Sequence, residues 1–470
     1  MKQPVQMCKF INENLAEVNL FGDDQRKLNT VQNSTFRISP QPFTIDIDTY
    51  NVLNNLGPLL YKFYQGINNL YDLSVRGHLP NWIHLYLDAG KTELVLNYGR
   101  MRRFKQDIPL IIRPDIILTD NGLSISELDS VPGGFGLLAA LSEQYAELGW
   151  ELVGGNDGII KGFSNIIRSL TDKPNPILAI IVSQESSDYL GEMQWTASAL
   201  NKHGLLSFTT APEDIIFKEN GLFVEKNNQL YQIDVVYRFF ELFDLKNIPK
   251  IDLILYAIRK QLVVVTPPIK SYLEEKMLFA LFHHPGLKDY WISQLGESGF
   301  HQLKKVFPST WILDNRPVPP YATIPNLNIA ENPVTDWNQL KTMTKSQREL
   351  VIKISGFSEL AWGSRGVSIG HDMSKADWAE VIDNALDSFP NNPYILQRFM
   401  KGRQVSAEYY DFEENKLKNM RGRVRLCPYY MIYDDKVHLT GALATICPLN
   451  KKIIHGMVDS IMIPTSLAEE

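Results

Sequence analysis

Between Asp46 and Tyr71, apolar residues recur at helical spacing (Val52, Leu53, Leu56, Leu59, Leu60, Phe63), and a second run follows Tyr71. Residues three and four apart share a helix face, so residues 1–100 are expected to be mostly helical. The pattern then changes. Leu110–Leu118 and Leu123–Asp129 read as two strands joined by a turn, and the Gly-rich stretch Pro132–Gly136 leads into a helix from Leu137 to about Leu148. Ile177–Ser183 is a short apolar run bounded by turn residues, as expected of a strand buried on both faces. Further strands are expected at Leu205–Thr209, Gly221–Glu225, Asp234–Phe239 and Val263–Pro268, with a helix around Met193, Trp195 and Leu200. Strands alternating with helices predict an α/β layer here. Downstream, Tyr272–Phe282 and Trp378–Phe389 read as helices and Leu350–Ile354 and Tyr394–Phe399 as strands, with a Gly/Ser-rich loop at Ser355–Gly370 and a linker at Pro317–Pro325. The remainder, to Pro464, is rich in short strands.

Composition narrows the classes. The 470 residues suit about two to four domains. Hydrophobic residues make up 44% and charged residues 21%, ordinary for a soluble globular protein. A net charge of -6 with no Lys/Arg block argues against a nucleic-acid surface. Cys8, Cys427 and Cys447 form neither a disulfide framework nor a zinc pattern. No apolar stretch reaches the ~18 residues of a spanning helix, and the first 21 residues lack the continuous apolar core of a signal peptide. The expectation is a cytoplasmic protein with no membrane or nucleic-acid partner; its oligomeric state is not legible.

The chemistry concentrates in the strand pair. Alternate residues share a strand face, so Arg113 goes with Asp115, and Glu127 with Asp129. A two-residue Asn121-Gly122 turn would pair Asp115 with Leu128. A three-residue loop, Asp120–Gly122, pairs Asp115 with Glu127 and Arg113 with Asp129, and Gly122 suits its left-handed position. Like charges facing across a ladder are destabilising, and a magnesium ion would relieve the repulsion, since it takes one or two carboxylates plus phosphate oxygens. An ordinary charged, solvent-facing strand pair would show the same residues. Pro114 removes a ladder donor and implies an edge position or a bulge.

A second group lies downstream. Lys353 sits amid apolar strand residues and needs an anionic partner or a route to solvent. The following loop carries Gly363, Ser364, Arg365 and Gly366, whose backbone N–H groups and guanidinium could cover a polyphosphate. In the strand Tyr394–Phe399, the segment Leu396-Gln397 could present its backbone to an adenine edge. Pro268 opens a segment containing Lys276. Arg421, Arg423 and Arg425 alternate along one face of an expected strand, followed by Asn450 and His455. Each of these is also compatible with a plain core strand, surface loop or solvated face.

Together the segments resemble the circularly permuted ATP-grasp enzymes, in particular the synthetase domain of glutathionylspermidine synthase. That family has Arg-x-Asp followed by Glu-x-Asn about a dozen residues later. Arg113-Pro-Asp115 and Glu127-Leu-Asp129 match in order and spacing, with Asp129 at the Asn position. Lys276, then Lys353 with Gly363–Gly366, then Gln397 follow in the permuted order, so the resemblance covers about residues 105 to 460. It implies a mixed α/β (α+β) fold, a circularly permuted ATP-grasp core with an additional α/β pre-ATP-grasp-like domain and a helical N-terminal region. The expected division is 1–105 helical region, 106–175 metal-hairpin part, 176–265 α/β substrate-side domain and 266–470 nucleotide-binding region. It further implies that Asp115, Glu127 and Asp129 hold Mg2+, that Arg113 and Arg365 are catalytic, and that Lys276, Lys353, Gly363, Ser364, Gly366, Leu396 and Gln397 bind ATP.

The activity so implied is an ATP-dependent ligase joining a carboxylate substrate to an amine, or another nucleophile, through an acyl phosphate. A catalytically degenerate nucleotide-binding scaffold and a small-molecule kinase remain as alternatives. No N-terminal amidase segment is recognisable, and the family's glutathione-contacting residues do not carry over cleanly, so glutathione and spermidine are not expected as substrates.

Overall fold

One seven-stranded sheet brings the carboxylate hairpin together with the last part of the chain. The computed structural model describes residues 3–17, 20, 34–319, 322–361, 365–451, 453–454 and 459–468. In that sheet the order is Phe43–Ile45, Ile461–Leu467, Lys436–Pro448, Lys416–Tyr433, Ile111–Thr119 and Gly122–Asp129, with Gln404–Asp411 also paired to the long strand Lys416–Tyr433. Leu178–Val182 is the centre of a separate four-stranded parallel sheet, flanked by Ser207–Thr210 and by Val235–Phe239, with Val264–Thr266 outside the latter. Every residue of Leu178–Val182 is buried, as the unbroken apolar run requires when helices cover both faces of a parallel sheet. A third, antiparallel sheet runs Thr310–Leu313, Tyr394–Arg398, Leu350–Ile354, Val367–Ile369.

Most of the described residues before Met101 are helical, with a short strand at Phe43–Ile45 among them. Ile47–Val75 is a 29-residue helix whose N-cap, Asp46, accepts a 2.6 Å hydrogen bond from the Thr49 N–H. Leu53, Leu56, Leu60, Phe63, Ile67 and Leu70 form its buried stripe, while Val52 is 46% exposed. Phe63 stacks on Trp291 with ring centres 5.1 Å apart, tying this helix to the helix Lys288–Val306.

Two sequence expectations change. Tyr272–Phe282 is not one helix: a single 3-10 turn, Ser271–Leu273, is followed by the short helix Leu278–His283, with Lys276 in the turn between them. The Lys276 N–H donates to the Ser355 carbonyl (2.8 Å) instead of a carbonyl one helical turn back, which breaks the helix there. The linker Pro317–Pro325 is anchored at its far end, where Pro325 accepts from the Trp311 indole N–H at 2.7 Å.

The hairpin register is the expected one at the site, reached by a different route. Asp115 pairs with Glu127 and Arg113 with Asp129. The loop, however, is the two-residue turn Asp120-Asn121, because Thr119 pairs with Gly122. The extra residue is Ser126, a β-bulge between the pairs Ile116–Ile125 and Asp115–Glu127. Pro114 lies beside that bulge, and it is not on an edge. The ladder to the long strand lapses there, between the pairs Leu426–Ile116 and Tyr430–Ile112, where a missing N–H costs nothing.

Candidate active site

The three sheets border a cavity of about 620 Å³. The hairpin contributes Arg113, Asp115, Glu127 and Asp129, the long strand Arg423 and Arg425, the antiparallel sheet Lys353 and Gln397, and the turn before the short helix Lys276. The carboxyl ends of the parallel strands supply Ser186, Tyr189, Phe239 and Glu241. Ligands in open parallel sheets collect at that end of the strands.

The carboxylates and cations of this cavity neutralise one another. Asp115 is 5% exposed. Its Oδ2 accepts from Arg425 at 2.8 Å, while Arg113 Nε lies 3.2 Å from its Oδ1. Cys427 also donates to Oδ1, at 3.4 Å. Arg113 reaches Asp129 Oδ2 at 3.0 Å and donates to the Gly133 carbonyl at 2.9 Å, so its plane is fixed from three sides. Burial would lower the Arg425 pKa, but the Asp115 charge overrides it and holds it above the ordinary value. Burial raises Asp129, opposed first by Arg113. Glu127 is paired with Lys276, Nζ to Oε1 2.7 Å, and Lys276 also donates to the Ala361 carbonyl at 2.7 Å. Lys353 donates to Gln397 Oε1 at 3.0 Å and to the Ser126 carbonyl at 3.2 Å. Neither acceptor carries a full charge, and burial pushes the lysine down to about 8.

Among the described residues no group of three or more His, Cys, Asp or Glu side chains is placed to hold a metal ion by itself. Asp115 and Asp129, expected with Glu127 to hold magnesium, are paired with guanidinium groups, and Glu127 is paired with the Lys276 ammonium. The donor set still fits magnesium in kind, since all three are oxygen donors on one cavity and magnesium needs only one or two carboxylates with phosphates completing its shell.

Other expectations separate in the same way. Gln397 is buried on the cavity wall, but Leu396 points into the apolar core with Trp311 and Ile352. Its strand is paired on both sides, so the Leu396 backbone is not open to an adenine edge. The Phe399 N–H still donates to the Glu349 carbonyl at 3.0 Å, and Phe399–Gly402 line the cavity beyond the strand's end. Arg365 is half exposed, outside the cavity lining, and its guanidinium lies 3.8 Å from Glu185. Gly366 has no room for a side chain against the Leu360 carbonyl, and Gly363 and Ser364 lie outside the described residues, as does His455. Of the arginine face, Arg425 and Arg423 line the cavity, while Arg421 is exposed and bonded to Gln404. Asn450 is exposed and outside the lining. The N–H groups of Gly134 and Gly136 do not face a substrate, because both donate to Glu192 Oε1, at 2.8 and 3.0 Å.

Compared with solved structures, the chain is similar over 100% of its length, and 98% of the other chain, to a glutathione synthetase-like effector from Globodera pallida in apo form, with 12% identity and a TM-score of 0.56. The two share a fold. A second likeness, to a "Putative gamma-glutamylcysteine synthetase" from Methylobacillus flagellatus, covers 82% of this chain and 83% of the other at 13% identity and a TM-score of 0.37. No protein-family model and no curated protein matches the sequence. The likeness to the first of these structures is one of fold, a mixed α/β architecture.

Two buried acidic residues escaped the sequence reading, Glu241 on the cavity wall and Glu192 behind it, bonded to the Gly134 and Gly136 N–H groups. Glu192, in the first turn of the helix Leu190–Lys202, is pushed up to about 7 by burial despite its glycine N–H partners. Glu241 is pushed up to about 8 by burial and by the neighbouring Glu274. Glu192 left no local signal. Glu241 had one, its place just past the carboxyl end of the parallel strand Val235–Phe239.

Proposed function

We propose that the protein is an ATP-dependent ligase that activates a carboxylate as an acyl phosphate and transfers the acyl group to an amine, in a circularly permuted ATP-grasp site. One observation carries the reading: Arg113, Arg425, Lys276 and Lys353, from four separate segments, meet three carboxylates on the wall of a single cavity. The permutation and the four-part division at residues 105, 175 and 265 belong to the same proposal. They are supported by the sheet in which the strands at 111–129 neighbour the strands at 404–467.

A substrate carboxylate oxygen attacks the γ-phosphorus of ATP, and the β–γ bridging oxygen leaves with ADP. The amine then attacks the acyl carbon, phosphate leaves, and the amine proton passes to solvent or a nearby base. Lys276 and Lys353 bind the phosphate oxygens, and Arg113, oriented by Asp115 and Asp129, faces the charge that spreads in the transferring group. Magnesium, entering with the nucleotide and held by Glu127 with Asp115 or Asp129, would supply charge neutralisation at the phosphates. Met400–Gly402, which line the cavity beside Gln397, would lie against the base.

The test is ADP release from Mg-ATP with pooled carboxylates and amines. Release that needs both substrates supports the ligase, and a stable phosphorylated product without ligation points to a kinase. The neutralised carboxylates also favour a second reading, a nucleotide-binding protein without turnover. Stabilisation by Mg-ATP with no ADP formed across the panel would establish that one.

A further inference from the structure

The turn Ala89–Lys91, in the N-terminal helical region, packs against segments that carry cavity residues without lining the cavity itself. Gly90 has φ +75°, and a Cβ there would meet the Asn391 carbonyl oxygen at 1.9 Å, so this turn is pressed against the segment leading into the strand Tyr394–Arg398. Next to it, Lys91 Nζ lies 2.5 Å from Glu275 Oε1, and the two side chains are 1% and 2% exposed. Ion pairs so removed from water lose most of their hydration and are poor sources of stability, so their retention calls for another reason.

The other end of Glu275 indicates what that reason is. Its Oε2 accepts from the Ser355 hydroxyl. Ser355 is fully buried, and its Oγ accepts the Met277 N–H at 3.0 Å while its carbonyl accepts the Lys276 N–H at 2.8 Å. Ser355 stands two residues beyond Lys353 on the same chain, and Glu275 stands one residue before Lys276. Gly356 closes the knot: a Cβ there would approach the Glu274 carbonyl and the Glu275 carboxylate at 2.9 Å. Phe357 follows at φ 48°, with Lys91 5.6 Å from its ring centre.

We infer that Lys91 and Glu275 are positioning residues for the two phosphate-side lysines, locking the backbones of Lys276 and Lys353 at a fixed spacing through Ser355. The inference rests on the nucleotide reading above. It makes the N-terminal helical region part of the nucleotide site, although none of its described residues touches the cavity.

The test compares the affinities of Mg-ATP and adenosine, by titration calorimetry, for the wild-type chain, Lys91→Met, Glu275→Gln and Ser355→Ala. A spacing lock for phosphate-binding lysines predicts at least tenfold weaker Mg-ATP binding in Lys91→Met, at least fivefold in Ser355→Ala, and adenosine affinity within twofold of wild type in both. Equal weakening of both ligands, or unchanged Mg-ATP affinity in a folded variant, overturns the inference. If Lys91→Met or Glu275→Gln does not fold, Ser355→Ala, which deletes one oxygen and leaves the ion pair, decides the matter alone. Wild-type protein that binds neither ligand overturns the nucleotide reading instead.

Discussion

Lys276 stands 2.7 Å from Glu127, so the carboxylate expected to meet a metal is held by the lysine expected to meet a phosphate. Nucleotide binding must trade this contact for two others. Replacing Glu127 with Ala removes a proposed magnesium ligand and frees Lys276. ADP release should fall about 100-fold or more, while Lys276→Met should weaken Mg-ATP binding about tenfold or more. Steady-state kinetics and titration calorimetry read the two effects. Wild-type turnover in the Glu127 variant would remove the hairpin from the mechanism.

On the proposed function, Lys353 would make nucleotide binding pH-linked. Its ammonium is destabilised by burial, with a pKa near 8, and triphosphate beside it would raise that value. Mg-ATP binding at pH 8 to 9 should therefore take up a proton, visible as a dependence of the calorimetric enthalpy on buffer ionisation. For stability the sign follows from the lowered folded pKa. Between about 8 and the ordinary lysine value of 10.5 the unfolded chain binds the extra proton, so stability rises with pH across that window. Lys353→Met should abolish the rise, stabilise the chain at pH 7 by up to about 3 kcal/mol, and weaken Mg-ATP.

Glu192 titrates with the opposite sign. Its folded pKa is raised from 4.5 to about 7, so the folded chain binds the extra proton in that window and stability falls as pH rises through it. Glu192→Gln keeps an oxygen for the Gly134 and Gly136 N–H groups. Denaturant titrations should show that it flattens the loss between pH 4.5 and 7 and leaves the variant more stable than wild type by about 1–3 kcal/mol at pH 8. A variant that is less stable at every pH would mean that the carboxylate charge itself holds the two glycine N–H groups.

The arginine face divides functionally. Arg425→Met strips Asp115 of its 2.8 Å partner and leaves a buried carboxylate under-compensated. A loss of about 3–5 kcal/mol is expected in chemical unfolding, because breaking a buried pair strands one charge. Arg421→Ala, on the exposed part of the same strand, should change stability by less than about 0.5 kcal/mol and leave Mg-ATP affinity as it was.

Parts of the site were legible because they depend on neighbours along the chain. Face alternation in Arg113-Pro-Asp115 and Glu127-Leu-Asp129 put the right residues on one side, and the polarity pattern chose the right pairing. The loop that would produce the pairing was wrong, since a bulge at Ser126 and a longer turn shift the register equally and face patterning cannot tell them apart. Leu396 was misassigned for a related reason: apolar content marks a strand, but not which of its edges stays unpaired.

By itself, then, the chain's order of residues determined the mostly helical N-terminal stretch, the buried parallel strand Leu178–Val182, and the face on which Arg113, Asp115, Glu127 and Asp129 meet, whereas the grouping of Lys276 and Lys353 with them was an expectation of the family resemblance. Periodicity and side-chain type act over a few residues, and that is enough for those features. Only the tertiary structure decided which cation meets which carboxylate. Asp115 takes Arg425 from 310 residues away, and Glu275 takes Lys91 from 184 residues away. Such pairs form where distant segments exclude water together, and nothing in the local spacing of either partner records the other.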